Sequence, residues 1–491
     1  MDIKEWLPEF RVSAEADEDL LKYFLKTEYV SEIINRKKWL VLGRKGTGKT
    51  AIYEYIKSAK NSELDGFRAL TLSFKDYPWP THHLYKEAME GELSAYQRSW
   101  FYLFIVQAVA QLIKVKEMNK EPISNDLKSV KKILQQIYGN PFPSLIEVIK
   151  SKIIRVDKLS APQAKAGDIS LSGGEVSFEE ISQSEGLKRK LKDNAFSLLT
   201  YLEDVFLKNA KGHKFIICLD RLDDNWLKDQ IPEYSKILIN LINVSQFINT
   251  AGQYRGVLRI IIFLRTDIYD TLSFNDKNKI SQDSAVEIFW DEESLNNMFL
   301  ERIKRNKPTQ LNLDFSLKTN SIFDVKYIRH GATPLKHMLR RTFLRPRDLI
   351  VFANKIRLIH IPGKSGLYSS KDIYSAEKDF SESMYNELID EWANQMPKIK
   401  DHLAILQNIR FSNFTYNKFA EQAQRVLKSP TRAEMLDILR FLFQNSIIGQ
   451  KISANWEFSC ANPHMQIDFG KPFHVNAGLK DRLMLTDGSA R

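Results

Sequence analysis

Residues 37–60, KKWLVLGRKGTGKTAIYEYIKSAK, constrain this chain more than any other stretch. A short apolar run, Trp39 to Leu42, leads into Gly43-Arg44-Lys45-Gly46-Thr47-Gly48-Lys49-Thr50, and a helical pattern follows at once. This is G-x-x-x-x-G-K-[ST] in a strand–loop–helix context, the pattern of a loop that wraps a phosphate. Gly43, Gly46 and Gly48 supply backbone conformations that other residues resist. The N–H groups of the loop, and of the helix beginning near Lys49, then converge on the anion. In this pattern Lys49 reaches the β- and γ-phosphates of a nucleotide, and the Thr50 hydroxyl ligates Mg2+.

The chain has 491 residues, enough for two to four domains and a large core. Apolar residues make up 43% and charged residues 27%, an ordinary globular balance. No apolar run approaches a membrane span, and the acidic start (Asp2, Glu5) lacks the form of a signal peptide. Two cysteines, Cys218 and Cys460, are too few for a disulfide framework or a thiolate metal site. A cytoplasmic protein with no membrane partner is expected. The formal charge of +11 permits contact with nucleic acid, but the excess is spread along the chain.

Residues 1–36 read as a helical lead-in around Leu20, Leu21, Phe24, Leu25, Tyr29, Ile33 and Ile34, packed beside the nucleotide site. Residues 37–290 read as the α/β core, with an insertion at about 115–185. Phe67–Phe74 is a second strand, ended by turn chemistry at Asp76–Pro80. Residues 84–116 are helical, and 100–109 are apolar on nearly every side, the mark of a buried helix. The small, polar stretch 160–179 reads as a loop or β-excursion, and 185–209 as a long helix.

Lys214–Asp220 is an apolar strand ending in acid, as the second half of a phosphate-loop site requires. Asp220 is expected to hold Mg2+, directly or through water, and Asp223 or Asp224 to polarise the attacking water. A helix over 233–251 precedes another buried strand, Val257–Arg265. Ligands in open α/β sheets sit at the carboxyl ends of strands. Arg265 is therefore a candidate γ-phosphate sensor, and Thr266 or Asp267 a candidate to orient water. Val286–Trp290 is strand-like, and a basic helix with Arg302, Lys304 and Arg305 follows; one of its arginines is a candidate to reach a neighbour's phosphate.

Residues 291–370 read as a lid, helical over 309–341. Pro346 marks a helix start with Arg345 and Arg347 at its positive end. Cations are disfavoured there, so an anionic partner is expected. Arg347 is the preferred γ-phosphate contact; the alternative is a salt bridge to Asp348 or to a glutamate elsewhere. Residues 371–491 read as a winged helix: helices at 376–407, 414–427 and 431–444, strand-like pieces at 447–451, 456–459, 465–469 and 473–475, and a short helix at 478–483. Such a module docks on DNA or packs on protein. No dense basic face selects DNA, and His474 has no partner cluster.

Four motifs together, GRKGTGKTA (43–51), CLDRLDD (218–224), FLRTDIYD (263–270) and LRPRDLIVFANKI (344–356), resemble bacterial P-loop ATPases of the AAA+/STAND side, related in style to KAP and Orc-like NTPases. The segments 385–391 and IIGQ to FHVNAGL look like the winged-helix tail of that group. The resemblance implies a three-layer αβα P-loop NTPase core with a helical lid and a C-terminal winged-helix domain. It implies ATP and Mg2+, with Asp220 in Walker B, Arg265 in sensor 1, and Arg345 or Arg347 in sensor 2. It further implies an ATP-hydrolysing switch that forms a homo-oligomer and acts through a separately encoded effector, as in some anti-phage systems. The chain departs from the AAA+ pattern at Walker B, where Asp220 is followed by Arg221 rather than by a second acid. No arginine finger is evident. A DNA-binding loader using the winged helix is the alternative. A phosphotransferase would need an acceptor pocket that the sequence does not display.

Overall fold

The structure is a computed structural model, and it describes residues 1–74, 92–150, 153–154, 176–177, 198–223, 231–453 and 455–489. The expected turn at 76–80, most of the 160–179 insertion, the first half of the 185–209 helix and Asp224 lie outside the described residues. The chain divides into two compact units. One gathers Glu28–Leu42 and Ile52–Glu287; the other gathers Met1–Thr27, Gly43–Ala51 and Ile288–Arg491.

The first unit is built on a five-stranded sheet. Its strands are β1 (Leu40–Gly43, through Leu42), β2 (Phe67–Ser73), β5 (Lys214–Asp220), β6 (Leu258–Arg265) and β7 (Ala285–Glu287), in the order β2-β5-β6-β1-β7. Between β2 and β5 in sequence, β3 (Ile153–Ile154) and β4 (Val176–Ser177) form a separate antiparallel pair. The pairings β2–β5, β5–β6 and β1–β7 are parallel. Parallel strands need both faces covered, which is why β6 is buried at all eight positions. Its side chains alternate between faces. Leu258, Ile260, Ile262 and Leu264 share one core with residues of helices Glu92–Met118 and Ile231–Thr250. On the opposite face Phe263 meets Tyr53 edge-on, with ring centroids 6.0 Å apart. The fold of this unit is mixed α/β with helices on both faces of a parallel sheet. The expected buried helix is present: Trp100, Phe104, Ile105, Val106 and Val109 are fully enclosed. The Trp100 indole N–H donates to the Ile237 carbonyl at 3.0 Å and ties the two long helices together.

The second unit is helical first and mixed later. Helices Glu292–Asn306, Pro334–Leu339, Pro346–Ile359 and Ser370–Trp392 share one apolar core with the lead-in residues Ile3, Trp6, Leu7 and Phe10. Phe352 and Phe380 stack at 4.3 Å between the third and fourth of these helices. Beyond them the order is helix Ile399–Ile409, strand β8 (Phe411–Phe414), helices Tyr416–Val426 and Arg432–Gln444, then strands β9 (Ile448–Ile452), β10 (Asn455–Glu457), β11 (Phe473–Val475) and β12 (Thr486–Ser489). These strands make a second sheet in the order β10-β9-β11-β8-β12.

Several sequence expectations are corrected here. The helix expected over 376–407 is two helices, interrupted around Pro397, whose ring and missing N–H break a helix interior. The lid stretch 309–341 is mostly irregular, with 3-10 turns at Phe315–Ile322 and Arg329–Gly331 and α-helix only at Pro334–Leu339. Around Leu20–Leu25 there is a single 3-10 turn, Leu20–Lys22. Residues 465–469 form no strand, whereas β8 and β12 pair in parallel at one side of the second sheet. Both are four residues long, and neither Phe-Ser-Asn-Phe nor Thr-Asp-Gly-Ser alternates apolar with polar residues.

Candidate functional site

The phosphate-loop pattern sits where β1 ends and the helix Lys49–Ser58 begins. Gly46 and Gly48 have φ of +82° and +98°, conformations that a side chain would strain. At Gly43 a Cβ would lie 2.5 Å from the Thr47 hydroxyl oxygen, so the close approach there also needs glycine.

The carbonyls of five consecutive loop residues are all taken. Lys49 Nζ donates to Gly43 O at 2.7 Å and to Arg44 O at 3.0 Å. Thr47 Oγ1 also donates to Arg44 O, at 2.9 Å. Arg345 Nη1 donates to Lys45 O at 3.1 Å, and the Trp290 indole to Thr47 O at 2.8 Å. The Arg347 amide approaches Gly46 O at 3.5 Å. In a trans peptide the carbonyl and the next amide point in opposite directions. Fixing Arg44 O, Lys45 O and Thr47 O therefore turns the N–H groups of Lys45, Gly46 and Gly48 the other way. Among the described residues those three amides have no acceptor. Lys45, Gly46 and Gly48 are only partly buried, so these donors are left available to a ligand or to water. Thr50 is the second residue of the following helix and is half-buried.

The two lid arginines differ in kind. Arg345 is buried, with Nε 3.2 Å from both Asp348 oxygens and Nη1 3.0 Å from Glu391. Burial works against its charge, but the Asp348 and Glu391 carboxylates outweigh it and leave the guanidinium more basic than usual. Arg347 is 29% exposed at its side chain, and Nη1 donates to Glu387 Oε1 at 2.7 Å. The same Glu387 oxygen lies 3.1 Å from Lys45 Nζ. Burial alone would raise the Glu387 pKa; Arg347 and Lys45 reverse this and hold it below the usual carboxylate range. Breaking a buried pair such as Arg345–Glu391 costs about 3–5 kcal/mol, because a charge is left stranded. A half-exposed pair contributes roughly 0–1 kcal/mol. Arg345 is thus a fixed brace on the loop, and Arg347 an exchangeable cation. The anion expected at the start of helix Pro346–Ile359 is met in this structure by carboxylates of the chain.

The acidic strand end lies in the other unit. Asp220 closes β5, paired across the ladder with Ser73, and is 3% exposed. Arg265 closes β6. Its Nε and Nη2 hold the two Asp267 oxygens at 3.0 and 2.7 Å, and Nη1 is 3.7 Å from Asp223. Thr266 Oγ1 donates to Glu287 at 2.9 Å. Burial raises the Tyr53 pKa, Thr71 lowers it, and the Asp220 carboxylate adds to the rise. Asp223, Arg265 and Asp267 therefore form one polar group, at the carboxyl end of the strand that neighbours the one Asp220 closes. Among the described residues no set of three or more His, Cys, Asp or Glu is placed to hold a metal ion.

Arg302 does not project toward a neighbouring molecule. It is buried over the Tyr23 ring at 4.4 Å and the Phe10 ring at 5.7 Å, close to Asp17. Sequence reasoning overlooked Trp290, Glu387 and Glu391. A signal for the two glutamates existed: they stand one helical turn apart, matching two arginines spaced around Pro346. Among the described residues no helix is long and apolar enough to cross a membrane.

Residues 293–389 match the FunZ_C family model, the FunZ-associated C-terminal helical domain. No curated protein matches the chain. Solved structures similar to it include the Aeropyrum pernix ORC1 protein in complex with DNA, 12% identical over 98% of this chain and 94% of that one, with a TM-score of 0.35. The Aeropyrum pernix ORC2 protein, in ADPNP–ADP complexes, is 12% identical over 98% and 94%, with a TM-score of 0.39. A Walker-type ATPase of Pyrococcus abyssi is 12% identical over 89% and 93%, with a TM-score of 0.37.

Proposed function

We propose that the protein is an ATP-binding and ATP-hydrolysing switch whose nucleotide state controls its assembly or a separately encoded effector. One observation carries this: the loop carbonyls from Gly43 to Thr47 are all engaged, while the amides of Lys45, Gly46 and Gly48 face the other way without an acceptor. Such a cradle suits a polyphosphate. Lys49 would leave the Gly43 and Arg44 carbonyls for the β- and γ-phosphates. Thr50 and Asp220 would hold Mg2+, which neutralises charge developing on the phosphate oxygens. Arg347 would meet the γ-phosphate. Water attacks in line, oriented by Asp223 or Asp224, and Arg265 steadies the strand end through Asp267. Residues 371–491, read as a winged helix, would carry the change outward. In it Arg440 is paired with Asp437 and stacked over Phe469.

Titration calorimetry with Mg-ATP and phosphate-release assays test this reading. Wild type binds and turns over ATP, and Lys49→Ala loses both. Unchanged affinity and turnover in Lys49→Ala would overturn the site.

A further inference from the structure

We infer that Lys45 and Arg347 form a second phosphate-binding pair, specific for a third phosphate, which the Glu387 carboxylate occupies until nucleotide displaces it. The inference rests on the phosphate-loop reading and goes beyond it by naming an internal competitor.

Three observations carry it. First, one carboxylate oxygen, Glu387 Oε1, contacts both cations, at 3.1 Å to Lys45 Nζ and 2.7 Å to Arg347 Nη1. A phosphate oxygen bridging two cations makes the same pair of contacts. Second, the contact is replaceable. Glu387 and its two partners are between 27% and 30% exposed, whereas Glu391, one turn further on the same helix, is buried against Arg345. Removing Glu387 from the cations leaves the Arg345–Glu391 brace intact. Third, there is room to move. Glu387 and Arg347 line a cavity of about 330 Å³ whose wall also carries Ser383, Met384, Val351 and Lys355. A displaced Glu387 side chain can rotate into this space with Ser383 and Lys355 as polar neighbours.

The two cations belong to different elements, Lys45 to the loop and Arg347 to helix Pro346–Ile359, and Glu387 belongs to helix Ser370–Trp392. Exchanging carboxylate for phosphate therefore unties that last helix from Lys45 of the loop, while Glu391 stays on Arg345. A nucleotide lacking the third phosphate leaves the tie in place. The nucleotide state is then read by a competition between two anions for one cation pair.

The test is calorimetry with Mg-ATP and Mg-ADP on full-length wild type, Glu387→Gln, Lys49→Ala, and a Lys45→Met/Arg347→Met background with and without Glu387→Gln. Glu387→Gln is expected to tighten ATP by about two- to fivefold, the conversion of the roughly 0–1 kcal/mol of a half-exposed pair, and to leave ADP within about 1.5-fold. In the Lys45→Met/Arg347→Met background the same change is expected to have no effect, an outcome that a structural role for Glu387 would not produce. Unchanged or weaker ATP binding in Glu387→Gln, with Lys49→Ala still abolishing binding, would overturn the competitor and leave the loop reading standing. An equal gain for ADP and ATP would also overturn it. If Lys49→Ala binds ATP like wild type, the loop reading fails and the competitor with it.

Discussion

Arg345 and Lys45 stand 300 positions apart in the chain and are joined by a 3.1 Å hydrogen bond from guanidinium Nη1 to carbonyl oxygen. The same guanidinium binds Asp348 and Glu391. One buried side chain therefore orients a loop peptide, pairs with Asp348 in the first turn of its own helix and holds a neighbouring helix. Arg345→Ala strands two buried carboxylates and is expected to cost about 3–5 kcal/mol of stability in urea unfolding. Arg345→Lys should restore only part of it, because an ammonium cannot reproduce the planar fork. A loss below about 1 kcal/mol would show that the brace is dispensable.

Gly46 meets two demands at once. Its φ is +82°, and a Cβ there would lie 3.1 Å from Arg347 Cβ. Gly46→Ala should lower stability by about 1–2 kcal/mol through backbone strain. It should also weaken ATP, because the helix start carrying Arg347 must shift. Thermal unfolding and calorimetry on the same sample separate the two effects, and wild-type ATP affinity would contradict the second.

Asp220 ends a strand buried from Phe215 onward and is 3% exposed. If it holds Mg2+, Asp220→Asn should leave ATP binding within a fewfold of wild type and slow phosphate release by about a hundredfold or more, as loss of a charge-stabilising group does. Wild-type turnover in this variant would remove Asp220 from the site.

His474 is stacked on Trp456 at 4.8 Å, and its ring contacts Asn413 across the β8–β11 pair. Burial pushes its pKa down to about 4, with Asp487 pulling it upward and Lys480 downward. An unfolded histidine titrates near 6.5. Below that value the unfolded chain takes up a proton that the folded chain refuses. Stability present above about pH 6.5 is therefore lost as the pH falls toward 4, by up to about 3 kcal/mol. Urea midpoints measured across pH 4.5–7 should show a shallower acid loss in His474→Gln. An identical pH profile would place the acid sensitivity elsewhere.

Much of this arrangement was legible in one dimension. The apolar runs of β1, β5 and β6 read as buried strands because parallel strands covered on both faces have no polar register to confuse the pattern. Glycine spacing announced the loop, since positive φ leaves few alternatives. Short elements were less readable: β8 and β12 span four residues each, and the 3-10 turns of Phe315–Ile322 and Leu20–Lys22 carry too few residues to show a period. The helix break near Pro397 was missed because apolar spacing continues across it.

The sequence by itself determined the glycine-rich loop, the strand ending at Asp220 and the pair of arginines beside Pro346, because each is specified by local backbone chemistry. Only the tertiary structure decided how those arginines are used. Arg345 is buried between Asp348 and Glu391, and Arg347 shares a carboxylate oxygen with Lys45. Whether a cation serves as a brace or as an exchangeable contact depends on its burial and on partners tens to hundreds of residues away. No local pattern encodes those distances.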